Sequence, residues 1–280
     1  MKTAVVTVVH GRGIHLDNQR AAMCLGTTLP DVHVVVALDD PSVRGRLEDA
    51  DLPTELVECG AADGRLPLAG ARNLGAAAAL RLGAELLIFL DVDCLPGATL
   101  VERYHLAAAQ PAHAGALLCG PVTYLPPPPP RGYPLRHLDE LSDPHPARPH
   151  PAGYDIEVGF DYDLFWSLSF AVRAPVWSAL GGFCESYRGY GGEDTDFGQL
   201  AKLGSIPLRW IGGADAFHQY HRVSDPPVEH LDDILRNAEV FHERWGWWPM
   251  SGWLRDFEAL GLITRDRAGR PRRSESGSCV

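Results

Sequence analysis

The sequence predicts an α/β protein built on a mostly parallel sheet, and three observations carry that expectation. Runs of β-branched and apolar residues alternate with helix-length segments through the first 125 residues. One run, Leu86–Leu90, is apolar at every position, as in a strand covered on both faces. The chain of 280 residues is 45% hydrophobic and 22% charged, enough for one large domain, or a domain and sub-domain, with ample core.

Ala4–Val9 reads as the first strand, followed by the loop His10-Gly11-Arg12-Gly13. Asp17 is placed to cap a helix running to about Leu29. His33–Leu38 is the next strand, ending in Asp39-Asp40-Pro41, and a shorter one lies near Leu56–Glu58. An Ala-rich helix spans Leu68–Leu82 and carries Ala71-Arg72-Asn73. After Leu86–Leu90 come Pro96-Gly97, a helix over Thr99–Gln110 and a strand over Ala116–Leu125.

Pro126–Gly159 breaks this rhythm. Its proline runs exclude a helix or an interior strand, so it reads as a surface loop or an acceptor-side flap. Order returns with a strand over Ser167–Val172 and a short helix over Pro175–Leu180. Gly191-Gly192 then leads into a helix whose first turn holds Glu193, Asp194 and Asp196. Strands follow at Leu208–Ile211 and Ala216–Tyr220, the second delivering His218 and His221. Val228–Trp245 is an amphipathic helix, and Trp245–Leu262 is aromatic and then helical. The residues from Arg265 onward read as a disordered polar tail.

Composition narrows the function. Net charge is −11, lysine occurs only as Lys2 and Lys202, and the one basic cluster is at the extreme C-terminus, which argues against nucleic acid as a partner. The six cysteines (Cys24, Cys59, Cys94, Cys119, Cys184 and Cys279) include no C-x-x-C pair and no metal spacing. They read as buried thiols in a reducing cytoplasm. The N-terminal segment reads as a strand and not a signal peptide, and no window is long and apolar enough for a membrane span. Oligomeric state is open.

The chemistry-bearing residues begin with Asp91-Val92-Asp93, which end the buried strand where open α/β sheets bind ligands. In an extended segment residues i and i+2 point the same way, so the two carboxylates are expected to share one cation, Mn²⁺ or Mg²⁺. Acids that merely end a strand are common, so this pair says little alone. Transfer of a sugar from a nucleoside diphosphate needs a cation for the leaving phosphates and a carboxylate to take the acceptor's proton. Asp93 and His218 suit the first task, and Asp194, after a flexible Gly-Gly, suits the second. The plain alternative for Glu193, Asp194 and Asp196 is that they cap a helix.

As an ordered set these residues resemble a known family. The chain is similar to inverting nucleotide-sugar glycosyltransferases of the GT-A fold (family 2-like), and its second half is similar to the β-1,4-galactosyltransferases. The motifs are Asp91-Val92-Asp93, Ala71-Arg72-Asn73, Gly181-Gly182-Phe183, Gly189–Asp196 (GYGGEDTD) and His218 before Pro226-Pro227, covering most of residues 4–245. The resemblance implies a Rossmann-like sheet flanked by helices, with an acceptor-side subregion and C-terminal helices. Residues 1–125 would bind the nucleotide-sugar, 126–160 would be the Pro-rich loop or flap, 161–262 the acceptor-binding and catalytic half, and 263–280 the tail. It implies Mn²⁺ or Mg²⁺ on Asp93 and His218, with Asp91 near the metal or the ribose and His221 competing as ligand. Asp194 would be the base, with Glu193 beside it. The donor, a UDP-sugar, would meet His10, Gly11, Arg12, Asp39, Asp40, Arg72, Asn73, Asp91, Val92 and Asp93. A hydroxyl-bearing acceptor would meet Tyr190, Gly191, Gly192 and Glu193.

There are departures: Tyr190 replaces a stacking Trp, Thr195 replaces one acid, and no Met stands at the family's third ligand position. Three other classes share parts of this pattern. A haloacid-dehalogenase-type phosphohydrolase wants a small turn after its second Asp, on the first strand; here Cys94-Leu95-Pro96 follows, several strands in. A nucleotidyltransferase wants a basic Gly-rich loop, of which His10–Gly13 is a thin version. The third rival is a non-catalytic GT-A-like binding protein.

Overall fold

The computed structural model describes residues 1–47, 52–61 and 64–274. In chain order, β1 (Thr3–Val9), α1 (Gly13–Met23), β2 (Val32–Leu38), β3 (Thr54–Cys59) and α2 (Leu68–Arg81) come first. Then come β4 (Leu86–Leu90), β5 (Cys94–Pro96), α3 (Leu100–Ala109), β6 (Leu117–Cys119) and β7 (Val122–Tyr124). The second half has β8 (Ile156–Gly159), β9 (Ser169–Arg173), α4 (Ala174–Leu180), α5 (Glu193–Leu203), β10 (Leu208–Ile211) and β11 (Ala216–His218). It ends with α6 (Leu231–Trp245), α7 (Ser251–Ala259), β12 (Ile263–Arg265) and β13 (Pro271–Arg273).

Eight strands form the central sheet in the order β3-β2-β1-β4-β9-β6-β10-β8. The first four are mutually parallel, β9 runs antiparallel between β4 and β6, and β8 is antiparallel to β10 at the edge. Alternation along each strand divides the core in two. Leu87 and Phe89 of β4 pack with α2, α4 and α5 on one face, while Leu86, Ile88 and Leu90 pack with α3 on the other. The small residues of α2 let it lie close on the sheet: a methyl on Gly75 would come within 2.9 Å of Val36 Cγ2. The chain crosses from β3 back to β4, so the crevice between the ends of β1 and β4 is a topological switch point. A small sheet, β5-β11-β7, sits beyond it and pairs His218 with Cys94 on one side and Tyr124 on the other.

Several expected boundaries change. The first helix starts at Gly13, without a side-chain cap, and ends at Met23; Asp17 lies inside it and pairs with Arg46. The strand expected over Ala116–Leu125 breaks at Gly120-Pro121 into β6 and β7, which join different sheets, because proline cannot donate to a ladder. The Pro-rich segment 126–160 is mostly irregular, but its end forms the edge strand β8, held by Val158 opposite Arg209. Residues 263–273 of the expected disordered tail form the β12–β13 hairpin, with Ile263 buried against Leu231, Ile234, Leu254 and Phe257. Residues 275–280, Cys279 among them, lie outside the described residues. Of the other cysteines only Cys94 and Cys119 are buried; Cys24 is exposed and Cys59 and Cys184 are half-buried.

A buried polar chain braces the crevice from below. Arg20 Nη1 donates to His33 Nδ1 at 3.0 Å, so His33 carries its proton on Nε2 and donates to Thr7 Oγ1 at 3.1 Å. Thr7 donates to Gln19 Oε1 at 3.0 Å, and Gln19 Nε2 donates to the carbonyls of Asp91 (2.8 Å) and Cys94 (2.9 Å). Complete burial, helped by Arg20, pushes His33 down to about 3 from its ordinary 6.5. The unfolded chain therefore takes up a proton near pH 6.5 that the native chain refuses until about pH 3. Between those limits native stability falls as pH falls, by up to about 1.4 kcal/mol per pH unit from this group. Urea denaturation across that window is expected to show a shallower pH slope for His33→Asn than for the natural chain; equal slopes would remove His33 as the cause.

Candidate active site

The loop after β4 closes as a turn, with Cys94 N–H donating to Asp91 O at 2.8 Å. This corrects the expectation that the two acids share a cation. In a turn, unlike an extended strand, they diverge: Asp91 faces Arg72, and Asp93 faces a group of histidines. Between them Val92 is buried against Val9, Leu16 and Val35 and anchors the turn.

Asp93, His218 and His221 offer one carboxylate oxygen and two ring nitrogens all within 4.8 Å of one another. His218 leaves β11 beside Cys94 by strand register, and His221 follows three residues later, its Nε2 3.6 Å from Asp93 Oδ2. Gln219 holds this approach by donating its N–H to Asp93 O at 2.6 Å and its Nε2 to His15 O at 3.1 Å. Both histidines thus meet Asp93, and Asp91 is not part of the group. Burial pushes His218 down to about 4, against the opposing charge of Asp93, so its ring is neutral near pH 7. Asp93 Oδ1 is buried and has no hydrogen-bond partner. Two imidazoles, that of His218 neutral, and a carboxylate with an orphaned oxygen fit a divalent transition metal such as Mn²⁺. Arg12 Nε and His15 Nε2 each lie 3.7 Å from Asp93 Oδ1. The sequence reading missed His15, although its i, i+3 spacing from Arg12 at the start of a helix was a usable signal.

On the other side of the turn, Arg72 is the hub of a buried ion cluster. Its Nη2 donates to Asp91 Oδ1 at 3.1 Å and its Nη1 to Glu193 Oε1 at 3.2 Å, while Asp194 Oδ1 lies 3.9 Å away. Burial works against the charge of Arg72, but the three carboxylates more than offset it and hold its proton more tightly than in water. Burial also raises Asp91 above the usual carboxylate range, against the pull of Arg72. Glu193 is pushed up to about 7 by burial and by the charge of Asp194, with Arg72 opposing. Its Oε2 is buried without a partner. Gly191 and Gly192 take φ of +93° and +94°, which turns the chain into α5 and brings Glu193 and Asp194 to Arg72.

Aromatic rings wall this cluster. The ring of Tyr190 stacks on His230 at 4.5 Å and lies 5.8 Å from Trp253. Tyr124 packs 4.8 Å from the ring of His218. Burial and the nearby charges of Asp91 and Asp194 push its hydroxyl up to about 12, so this ring borders both halves of the site.

Other expected residues are engaged elsewhere. Asn73 holds the backbone of Phe183 in both directions, at 2.9 Å each, and donates to Glu185, so it braces the 182–185 loop and not the acid cluster. Asp40 accepts from Gly11 N–H (2.9 Å) and from Ser42, which makes it the brace of the first loop. His10 Nδ1 bonds Leu38 O at 2.8 Å, and Asp39 is exposed at φ +49°. Asp196 is buried and binds Tyr187, Arg244 and Trp245, tying α5 to the end of α6.

No family model matches the chain. Among curated proteins it is 29% identical over 240 residues to a validoxylamine A glucosyltransferase of Streptomyces hygroscopicus subsp. limoneus, covering 77% of this chain and 52% of that protein. It is 28% identical to a validoxylamine A glucosyltransferase of S. hygroscopicus subsp. jinggangensis (strain 5008), covering 77% and 56%. The chain therefore spans about half the length of these relatives. Among solved structures, S. aureus TarS 1-349 superposes with a TM-score of 0.59 at 11% identity, covering 86% of this chain and 64% of that one. GalNAc-T7 with UDP, GalNAc and Mn²⁺ gives 0.57 at 13% identity, covering 86% and 50%.

The fold is that of the GT-A glycosyltransferases.

In this GT-A chain the histidine–carboxylate group and the Arg72 cluster lie on opposite sides of one turn at the end of β4. Arg72→Gln would leave the three carboxylates without their cation. It is expected to cost about 3–5 kcal/mol of stability in urea unfolding at pH 7. A cost under 1 kcal/mol would mean that Arg72 does not neutralise the cluster.

Proposed function

We propose that the protein is a metal-dependent, inverting glycosyltransferase that moves a sugar from a UDP-sugar to an acceptor hydroxyl. The observation that supports this most is the pairing of a two-imidazole, one-carboxylate group with an accessible carboxylate, Asp194, across a single turn of a GT-A fold. The solved neighbours include TarS in complex with UDP-GlcNAc, and the curated relatives are named as glucosyltransferases.

In this reading Asp93, His218 and His221 would hold a divalent cation, whose chemistry when bound would be to offset negative charge on a diphosphate leaving group. Arg12 and His15 lie beside Asp93 and supply further positive or hydrogen-bonding groups toward the phosphates. The nucleoside occupies the loops at the ends of β1 and β2, shaped by His10, Gly11 and Asp40. The acceptor ring packs on Tyr190, and its hydroxyl is oriented by Glu193. Asp194 takes the hydroxyl proton as the acceptor oxygen attacks the anomeric carbon from the face opposite the leaving diphosphate. One direct displacement of this kind inverts the anomeric centre. Among the described residues no helix is long and apolar enough to cross a membrane. The thiols of Cys59 and Cys184, outside any disulfide, suit a reducing cytoplasm.

A thermal-shift panel of UDP, GDP, CMP and TDP, each with and without Mn²⁺, tests the donor half. A ligand at a hundred times its Kd adds about 2.7 kcal/mol, so stabilisation by UDP only with metal is expected. No shift with any nucleotide would remove the donor reading. Asp194→Asn is expected to abolish transfer while keeping metal-dependent UDP binding; loss of binding would instead place Asp194 on the donor.

A further inference from the structure

Ser167 is fully buried two residues before β9, and both of its polar groups meet one carboxylate. Its Oγ–H donates to Asp194 Oδ1 at 2.7 Å and its N–H donates to Asp194 Oδ2 at 3.1 Å. A carboxylate gripped at both oxygens by a single residue cannot turn about its terminal torsion without losing both bonds. The grip is itself anchored. Asp91 N–H donates to the carbonyl of Leu168 at 3.0 Å, and β9 continues from there as the antiparallel neighbour of β4. On the outer side, Trp166 packs edge-on against His145 at 5.0 Å, and Arg148 lies 5.1 Å over the Trp166 ring. Residues 166–168 thus join the turn that carries Asp91 and Asp93 to the carboxylate on α5.

We infer that Ser167 is a positioning residue that fixes the carboxylate plane of Asp194 for proton abstraction. The inference rests on the reading of Asp194 as the base. In the step it serves, the acceptor O–H bond breaks and its proton passes to Asp194. The acceptor oxygen then bonds the anomeric carbon, and the nucleoside diphosphate leaves with the electron pair of the broken C–O bond. Oδ1 already holds the hydroxyl bond and faces Arg72, so Oδ2, loaded only by the amide, is the oxygen that receives the proton. The sequence shows nothing of this, because a Trp-Ser pair before a strand has no signature of its own.

Asp194 is faced by Arg72 from α2, Glu193 from its own helix, Asp91 from the turn after β4, and the phenols of Tyr124 and Tyr190. None of these is altered by replacing Ser167, so removal of the hydroxyl isolates its effect. The experiment is a ¹³C-NMR pH titration of aspartate side-chain carboxyls in the full chain, with the Asp194 signal assigned by its loss in Asp194→Asn. Loss of a donor to the ionised form moves a carboxyl upward, so the Asp194 signal is expected to titrate higher in Ser167→Ala than in the natural chain. Ser167→Thr, which keeps the hydroxyl, is expected to return it to the natural value, and Mn²⁺-dependent UDP binding is expected in all variants as the check on folding. An unmoved Asp194 signal in Ser167→Ala, or a shift that threonine does not reverse, overturns the inference. The base reading fails separately, if Asp194→Asn keeps the natural rate of UDP release from UDP-glucose with water as acceptor.

Discussion

One guanidinium holds the two halves of this site together. Arg72 stands on a helix of the first half, and its partners are Asp91 on the turn after β4 and Glu193 and Asp194 at the start of α5 in the second. Arg72 and Glu193 are buried and Asp91 and Asp194 half-buried, so the group is costly to desolvate, and mutual attraction offsets that cost only while the geometry holds. Three acids against one base also leave the cluster short of positive charge. Burial, with the charge of Asp194 beside it, pushes Glu193, the least exposed of the acids, up to about 7 against the pull of Arg72. A cluster of this kind contributes little net stability, but it fixes the acids at the start of α5 relative to the turn after β4.

The sheet makes this convergence possible. Parallel strands β1 and β4 end side by side at the switch point, and antiparallel β9 brings residues 166–168 to the same end from the opposite direction. The small sheet adds the imidazoles by register: His218 lies between Cys94 and Tyr124, one residue away from Asp93 along β5. Three chain segments far apart in sequence therefore meet here, with strand register setting where each one enters the site.

Much of this was legible in the sequence. Uniformly apolar Leu86–Leu90, the acids after it, and Gly191-Gly192 before Glu193 mark places where local pattern and tertiary role agree, and both expected histidines arrive at Asp93. The misreadings share a cause. The i, i+2 argument for Asp91 and Asp93 assumed an extended backbone, and the Cys94–Asp91 turn bond sends them apart. Asn73 and Asp40, expected at the donor by resemblance, also hold loop backbone in place, which no local pattern reveals. The hairpin at 263–273 was hidden because its sequence is largely polar, with only Ile263 and Pro271 buried. Ser167 and His15 act only through partners distant in the chain.

The buried chain from Arg20 through His33, Thr7 and Gln19 has a polarity. At one end is a side chain that can only donate, and at the other are two carbonyls that can only accept. Every member between them must therefore hand its hydrogen in the same sense, and none has a second way to bond. Shape alone does not qualify a residue for such a place. Glutamate matches glutamine in outline, yet at position 19 an ionised carboxylate would set oxygen against the oxygens of Asp91 and Cys94. The variation this fold tolerates beneath the turn after β4 is thus restricted by the direction of hydrogen bonding, in a region where a hydrophobic core would restrict it only by volume.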